Sequence, residues 1–335
     1  MCIHEENVAD KVRVHIQQND GPNDIYRITA EKYARESAAF ADVAEKLDVS
    51  FGTGDADADA GLAGAEVLVC GYFGFAGLAQ RAPHLKWVQS IFAGVDKLIP
   101  AIPPGVTLTN ASGVHAQKAG EYAMGAILML NSAVPTFIEE QRKKQWTQIF
   151  TPSMTGRTVT ILGAGRLAAA VAAHARHFGA RVVGIARSSG PRNHFPEVYE
   201  VSHLPEILPG TDFLVLMVPN TAETKGLIGR KELDLLPPHA GIVSLGRSQV
   251  MDHDALVDKL ERGELGGAFL DVFDKEPLQV DSKLWTAPRL IISPHCALDD
   301  GPDYARLSLD MFFTNMRLYL DRKPLINVVD TARGY

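Results

Sequence analysis

The sequence predicts an α/β protein built on parallel sheets covered on both faces. Three observations carry this. Short apolar runs suited to buried strands recur at 213–218, 241–245, 267–270 and 290–292, with helix-like stretches between them. Near-continuous apolar strands alternating with helices imply a parallel sheet with helices on each side. The turn Gly163-Ala164-Gly165-Arg166-Leu167-Ala168 joins the apolar run Val159-Thr160-Ile161-Leu162 to an alanine-rich stretch ending at His177. Finally, Pro100, Pro103, Pro104 and Gly105 mark a linker between two such regions.

Taken in order, residues 1–10 are polar and expected to be loose. Glu5, Glu6 and Asp10 stand where a signal peptide would have its basic and apolar blocks. Val12-Arg13-Val14-His15-Ile16 alternates like a strand. Residues 31–47 read as a helix with Tyr33, Phe40, Val43, Ala44 and Leu47 on one face. A short strand is expected at 49–51. Residues 52–64, with Asp55, Asp57 and Asp59, read as a solvated connector because the terminal glutamate of a calcium loop is missing. Strands follow at 67–70 and 87–91. A strand at 106–110 opens the second domain, and Ser112 is a plausible N-cap for a long helix reaching about Ala133. A helix at 304–320 and a tail return to the first domain. The expected domains are therefore 1–103 with 293–335, and 104–292.

The 335 residues are 46% hydrophobic and 22% charged, as in a soluble protein of about two domains. A net charge of −7 argues against general nucleic-acid binding, which needs a basic face. No run reaches the roughly 18 apolar residues of a membrane span. Cys2, Cys70 and Cys296 have no metal-ligand spacing, so no metal is expected. So sparse a set suits a reducing compartment, the cytoplasm.

The glycine turn has the setting a dinucleotide requires. It follows a strand, opens a helix, and precedes a second strand at 181–186. Gly163 permits the tight turn and Gly165 leaves room for phosphates at the helix N-terminus. The third small position is Ala168. At the end of the second strand, where the adenosine ribose is read, stand Arg187, Ser188 and Ser189 rather than Asp or Glu. A carboxylate there would repel the extra phosphate of NADP, whereas arginine and serine bind it. NADP is the expected cofactor, with NAD as the alternative.

Ligands of parallel sheets bind beyond the carboxyl ends of the strands. Arg247, then Asp271 and Glu276, then His295 occupy such positions. Together they supply what hydride transfer at a 2-keto acid needs. A cation holds the carboxylate and polarises the ketone. An acid/base near neutral pKa moves the hydroxyl proton, and a carboxylate orients it and favours its charged form.

With these residues in view, the chain resembles the D-isomer-specific 2-hydroxyacid dehydrogenases. The matching pieces are Phe92-Ala93-Gly94-Val95-Asp96, Asn110-Ala111-Ser112-Gly113-Val114-His115, Gly163-Ala164-Gly165, and Val218-Pro219-Asn220-Thr221 with Thr224. Ser244-Leu245-Gly246-Arg247, Leu270-Asp271-Val272-Phe273, Glu276-Pro277-Leu278 and Ser293-Pro294-His295 complete them. The resemblance implies two Rossmann-like or flavodoxin-like domains, the nucleotide-binding one inserted into the substrate domain. It implies that Arg247 binds substrate, Glu276 orients His295, and His295 donates or accepts the proton. It implies substrate contacts from Ala93 and Gly94, and cofactor contacts from Gly163, Ala164, Gly165, Arg166, Leu167, Arg187, Ser188, Val218, Pro219, Thr224, Leu245, Gly246 and Asp271, the last at the nicotinamide carboxamide.

The helix after Ser112 resembles the one around which these enzymes form homodimers. The pair Arg187 and Ser188 brings the chain closest to the glyoxylate/hydroxypyruvate reductase branch, which acts on small 2-keto and 2-hydroxy acids. Formate dehydrogenases have glutamine where this chain has Glu276, and a corepressor-like module of the same fold is the rival from another class. Two departures stand out. Ser248 replaces a common glycine, and Ala119-Gly120-Glu121 replaces Val-Ala-Glu. Tyr72, Phe73 and Phe75 are candidates for the site, with core packing expected for at least two.

Overall fold

The structure, a computed structural model, describes residues 11–18, 24–54 and 58–334. These form two compact units: the described residues up to Val114 together with those from Asp300, and His115–Asp299. Asp55, Asp57, Cys2 and the expected loose N-terminus lie outside the described residues.

The first unit carries a parallel sheet of five strands: β1 (Val12–Gln18), β2 (Leu47–Thr53), β3 (Val67–Cys70), β4 (Trp87–Ser90) and β5 (Thr107–Thr109). Their order is β2-β1-β3-β4-β5, the flavodoxin-like arrangement. Successive side chains point to opposite faces. Thus Val67, Val69 and Trp87 join one core with Leu309, Phe312, Phe313 and Met316 of the helix Tyr304–Leu320. Leu68, Cys70, Val88 and Leu108 join the other.

The second unit carries seven strands: β6 (Thr158–Leu162), β7 (Arg181–Ala186), β8 (Glu197–Glu200), β9 (Phe213–Leu216), β10 (Gly241–Ser244), β11 (Gly267–Leu270) and β12 (Leu290–Ile292). All pair in parallel, in the order β12-β11-β10-β9-β6-β7-β8. This is the doubly wound order whose direction reverses between β6 and β9, the place where such sheets bind dinucleotides. The pleat again makes two cores, with Leu214, Leu216, Ile242 and Leu270 on one face and Val159, Ile161, Val215 and Phe269 on the other.

Several expectations are corrected. β5 pairs with β4, so 106–110 belongs to the first unit, and the units divide at 114/115 and 299/300 rather than at 103/104 and 292/293. Ser112 does not cap a helix. Its N–H donates to Asn110 Oδ1 (3.1 Å), Gly113 turns the chain at φ 86°, and the long helix is Ala116–Asn131. The helix expected over 31–47 is broken into Ala30–Ser37, a single 3₁₀ turn and Ala41–Ala44, after which Leu47 already starts β2. The connector at 52–64 contains the end of β2 and the helix Ala58–Leu62, whose Ala58 and Leu62 are buried. The structure adds β8 and the helix Val134–Lys143 to the expected elements.

One departure in the long helix has a packing explanation. A Cβ on Gly120 would lie 2.5 Å from His174 Nδ1 and 3.1 Å from Ala170 O. Glycine there lets this helix press against Arg166–His177, where His174 Nδ1 bonds to the Ala170 carbonyl (2.8 Å).

Candidate active site

The register of the second sheet brings the site together. Leu162, Leu216, Ser244, Leu270 and Ile292 lie side by side, and Ile185 lies beside Leu162. Every loop carrying a candidate residue of this unit therefore leaves the same edge. Gly163 follows β6, Arg187 follows β7, and Val218 and Pro219 follow β9. Gly246 and Arg247 follow β10, Asp271 follows β11, and His295 follows β12.

The nucleotide end is built by close backbone contacts. Gly163 has φ 113°, and a Cβ there would lie 3.0 Å from Met217 O. A Cβ on Gly246 would lie 2.8 Å from Val218 O, so the loops after β6, β9 and β10 interlock at two glycines. Gly165 is exposed, and a Cβ there would meet nothing within 4 Å. This leaves open the approach to the helix Arg166–His177, whose first N–H groups have no acceptor within the helix. Such a cradle fits a pyrophosphate. Ala164, Arg166 and Leu167 border it. Thr224 closes the loop after β9, its hydroxyl donating to Pro219 O (2.6 Å) and accepting from Thr221 N–H (2.9 Å). Leu245 is buried in the core with its N–H on Leu216 O (3.1 Å), so its side chain supports the loop from below.

Arg187 and Ser188 are exposed at the end of β7. The structure adds a second cation there. Arg192 Nη2 donates to Ser188 O (2.9 Å) and Ser188 Oγ (2.6 Å). A tight turn presents it, with Arg192 and Phe195 exchanging backbone bonds and Phe195 buried beneath Gly184. Sequence reading stopped at the strand end. The signal it passed over was a cation set in a Gly-Pro turn six residues beyond the end of β7.

At the other end of the edge, His295 Nδ1 and Glu276 Oε2 are 2.7 Å apart, and Glu276 Oε1 accepts from Phe273 N–H (3.0 Å). A carboxylate only accepts, so Nδ1 carries the hydrogen and Nε2 is the nitrogen that can serve a substrate. The side chains are 47% and 37% exposed, which leaves the pair accessible. His295 holds φ 51°, uncommon for a residue with a Cβ. Asp271 holds the loop in that shape. Its Oδ1 accepts from Ser293 Oγ (2.5 Å), Cys296 N–H (3.1 Å) and Ala297 N–H (3.2 Å), on both sides of His295. Burial pushes the Asp271 carboxyl above its ordinary value against the pull of those donors. Burial and the Asp271 charge also push the Cys296 thiol up, which keeps it from being a reactive thiolate. Arg247, half-buried, donates from Nη1 to Gly246 O (2.9 Å).

In the first unit, the Ala93-Gly94 loop is pinned by its carbonyls. Asn110 Nδ2 donates to Ala93 O and Tyr72 Oη donates to Gly94 O, both at 2.9 Å. A trans peptide sets its N–H opposite its C=O, so the Gly94 N–H points away from Asn110. Tyr72, Phe73 and Phe75 pack against the core between this loop and β3. Among the described residues, no group of three or more His, Cys, Asp or Glu could hold a metal ion.

The family model for the NAD binding domain of D-isomer specific 2-hydroxyacid dehydrogenases matches residues 124–297, the sheet and loops just described. The chain belongs to that family. It is an NAD(P)-dependent oxidoreductase acting on CH–OH groups, with two Rossmann-like domains. A hydroxyphenylpyruvate reductase of Plectranthus scutellarioides is 30% identical over 257 residues, 75% of this chain and 80% of that protein. A glyoxylate/hydroxypyruvate reductase B of Pectobacterium atrosepticum is 33% identical over 225 residues, 64% of this chain and 70% of its own. The crystal structure of an NADPH-dependent glyoxylate/hydroxypyruvate reductase from Sinorhizobium meliloti, in complex with NADP and sulfate, superposes with a TM-score of 0.81 at 26% identity, covering 96% of this chain and 99% of that one. No helix among the described residues is long and apolar enough to cross a membrane.

Proposed function

We propose that this chain reduces a small 2-keto acid of the glyoxylate or hydroxypyruvate kind to the D-2-hydroxy acid, with NADPH preferred over NADH. The observation that carries the reading is the His295–Glu276 pair at 2.7 Å, two strands from the loop that bears Arg247. The nicotinamide, when bound, supplies the hydride. Arg247 holds the substrate carboxylate and polarises the ketone through its planar fork. His295 gives the proton from Nε2 to the ketone oxygen as that oxygen gains charge. Glu276 fixes the ring and offsets the imidazolium charge. Asp271 keeps the His295 loop in register through its bonds to Ser293, Cys296 and Ala297. The named relatives, which are reductases of 2-keto acids, support the substrate class. Following NADPH absorbance with glyoxylate, hydroxypyruvate and phenylpyruvate tests the reading, and no oxidation with any of them would sink it.

The NADPH preference rests on Arg187 and Ser188. One hydrogen bond to a charged group contributes about 1.5–3 kcal/mol, or roughly 10- to 100-fold in affinity. Arg187→Ala is expected to raise KM for NADPH by that factor and leave NADH nearly untouched. A wild-type preference for NADH, or equal effects on both cofactors, would remove Arg187 from this role.

The same reading includes a homodimer. Beyond the helix Val134–Lys143, Trp146 and Phe150 stand 94% and 89% exposed, and Phe137 and Ile138 of that helix are exposed too. So large an apolar display suits burial against a second copy. Sedimentation of the wild type should give twice the chain mass, and Trp146→Ser with Phe150→Ser should shift it toward monomer. A wild type that sediments as a monomer at micromolar concentration would refute this.

A further inference from the structure

Ser248, which stands where glycine is common, is 3% exposed. Its hydroxyl donates to Asp274 Oδ1 at 2.8 Å. Ser248 directly follows Arg247, and Asp274 lies in the turn that presents Glu276. That turn is anchored on one side by Phe273, 6% exposed in the core, and closed by the bond from Phe273 N–H to Glu276 Oε1 (3.0 Å). Glu276 in turn holds His295. One connected path thus runs from the loop after β10, through the turn after β11, to the loop after β12. A glycine at 248 has no hydroxyl to make the first link. Asp274 itself is exposed, and the Ser248 hydroxyl ties it to a buried residue.

We infer that Ser248 and Asp274 are positioning residues that set Arg247 at a fixed distance from the Glu276–His295 pair. The inference rests on the roles proposed above for those three groups. The two halves of the site do different work on one substrate, since one grips the carboxylate while the other delivers the proton. Reacting groups tolerate little misplacement, so a brace between the loops acts on turnover rather than on cofactor binding.

The test is a double-mutant cycle of Ser248→Ala and Asp274→Ala in the full-length protein, with Asp274→Asn as the conservative variant that keeps the Oδ1 acceptor. Each alanine variant is expected to lower kcat/KM for the keto acid about tenfold, what one hydrogen bond to a charged group is worth at the lower end. Cofactor affinity should stay within twofold, and the double variant should fall no further than either single one. Asp274→Asn should recover most of the rate. Additive losses, an unchanged Ser248→Ala enzyme, or equal weakening of cofactor binding would each overturn the proposal.

A second measurement needs no turnover. The His295 imidazole resonance, assigned by its loss in His295→Ala, should shift in both alanine variants and stay in place in Asp274→Asn. An unmoved resonance in Ser248→Ala overturns the brace. Wild-type protein inert toward every keto acid would instead refute the reaction proposed above, while the resonance still decides the brace.

Discussion

Replacing His295 with alanine is expected to lower kcat for keto-acid reduction by about 10²–10⁴, the usual contribution of a positioned general acid. Hydride delivery builds charge on the ketone oxygen, and Nε2 is the ring nitrogen of His295 that the Glu276 bond leaves free to offer a proton. The loss should fall on kcat, because the proton matters in the transition state and not in cofactor or substrate binding. Stopped-flow or steady-state NADPH oxidation measures it. A folded His295→Ala enzyme retaining more than a tenth of the wild-type kcat would take the proton role away from this residue.

Arg247→Lys should lower kcat/KM for the keto acid on the order of 100-fold, the upper end of what a charged hydrogen bond supplies. Lysine keeps the charge but presents a point donor in place of the two parallel donors that match a carboxylate. Cofactor affinity should hold, because the neighbouring Gly246 that interlocks with the loop after β9 is untouched. Parallel losses in cofactor and substrate binding would show damage to the whole edge and count against a direct substrate contact.

Most strands of the second unit were readable because each is an apolar run of four to six residues buried on both faces, as at Phe213–Leu216 and Arg181–Ala186. β8 escaped because Glu197-Val198-Tyr199-Glu200 is an edge strand with one buried residue, and its composition looks like surface. Nothing in Thr107-Leu108-Thr109 signals its partner, because the unit to which β5 belongs is set by its pairing with β4. The break between the helices Ala116–Asn131 and Val134–Lys143 falls at Ala133 with φ 54°, a conformation that alanine does not advertise.

At the site, strand ends pointed to Arg247, Glu276 and His295, since polar residues that follow buried strands are conspicuous. The supports were not legible. Asp271 receives Ser293, Cys296 and Ala297 from more than 20 residues away, and Ser248 meets Asp274 across 26 residues. Such contacts follow from register between strands, which no local pattern encodes.

The discontinuity of the first unit has a consequence for biosynthesis. The face of its sheet that holds Val67, Val69 and Trp87 is covered by Leu309, Phe312, Phe313 and Met316, and Asn315 ties Gln89 to Ile326. These partners emerge from the ribosome some 200 residues after β4, whereas the second unit is one uninterrupted stretch. Domains fold largely in the order in which they are completed, and contacts distant in sequence form slowly. The inserted unit can therefore close while the first sheet still has an uncovered apolar face. During that interval the nascent chain has a sticky surface, and the last helix, rather than any residue of the site, sets when it is hidden.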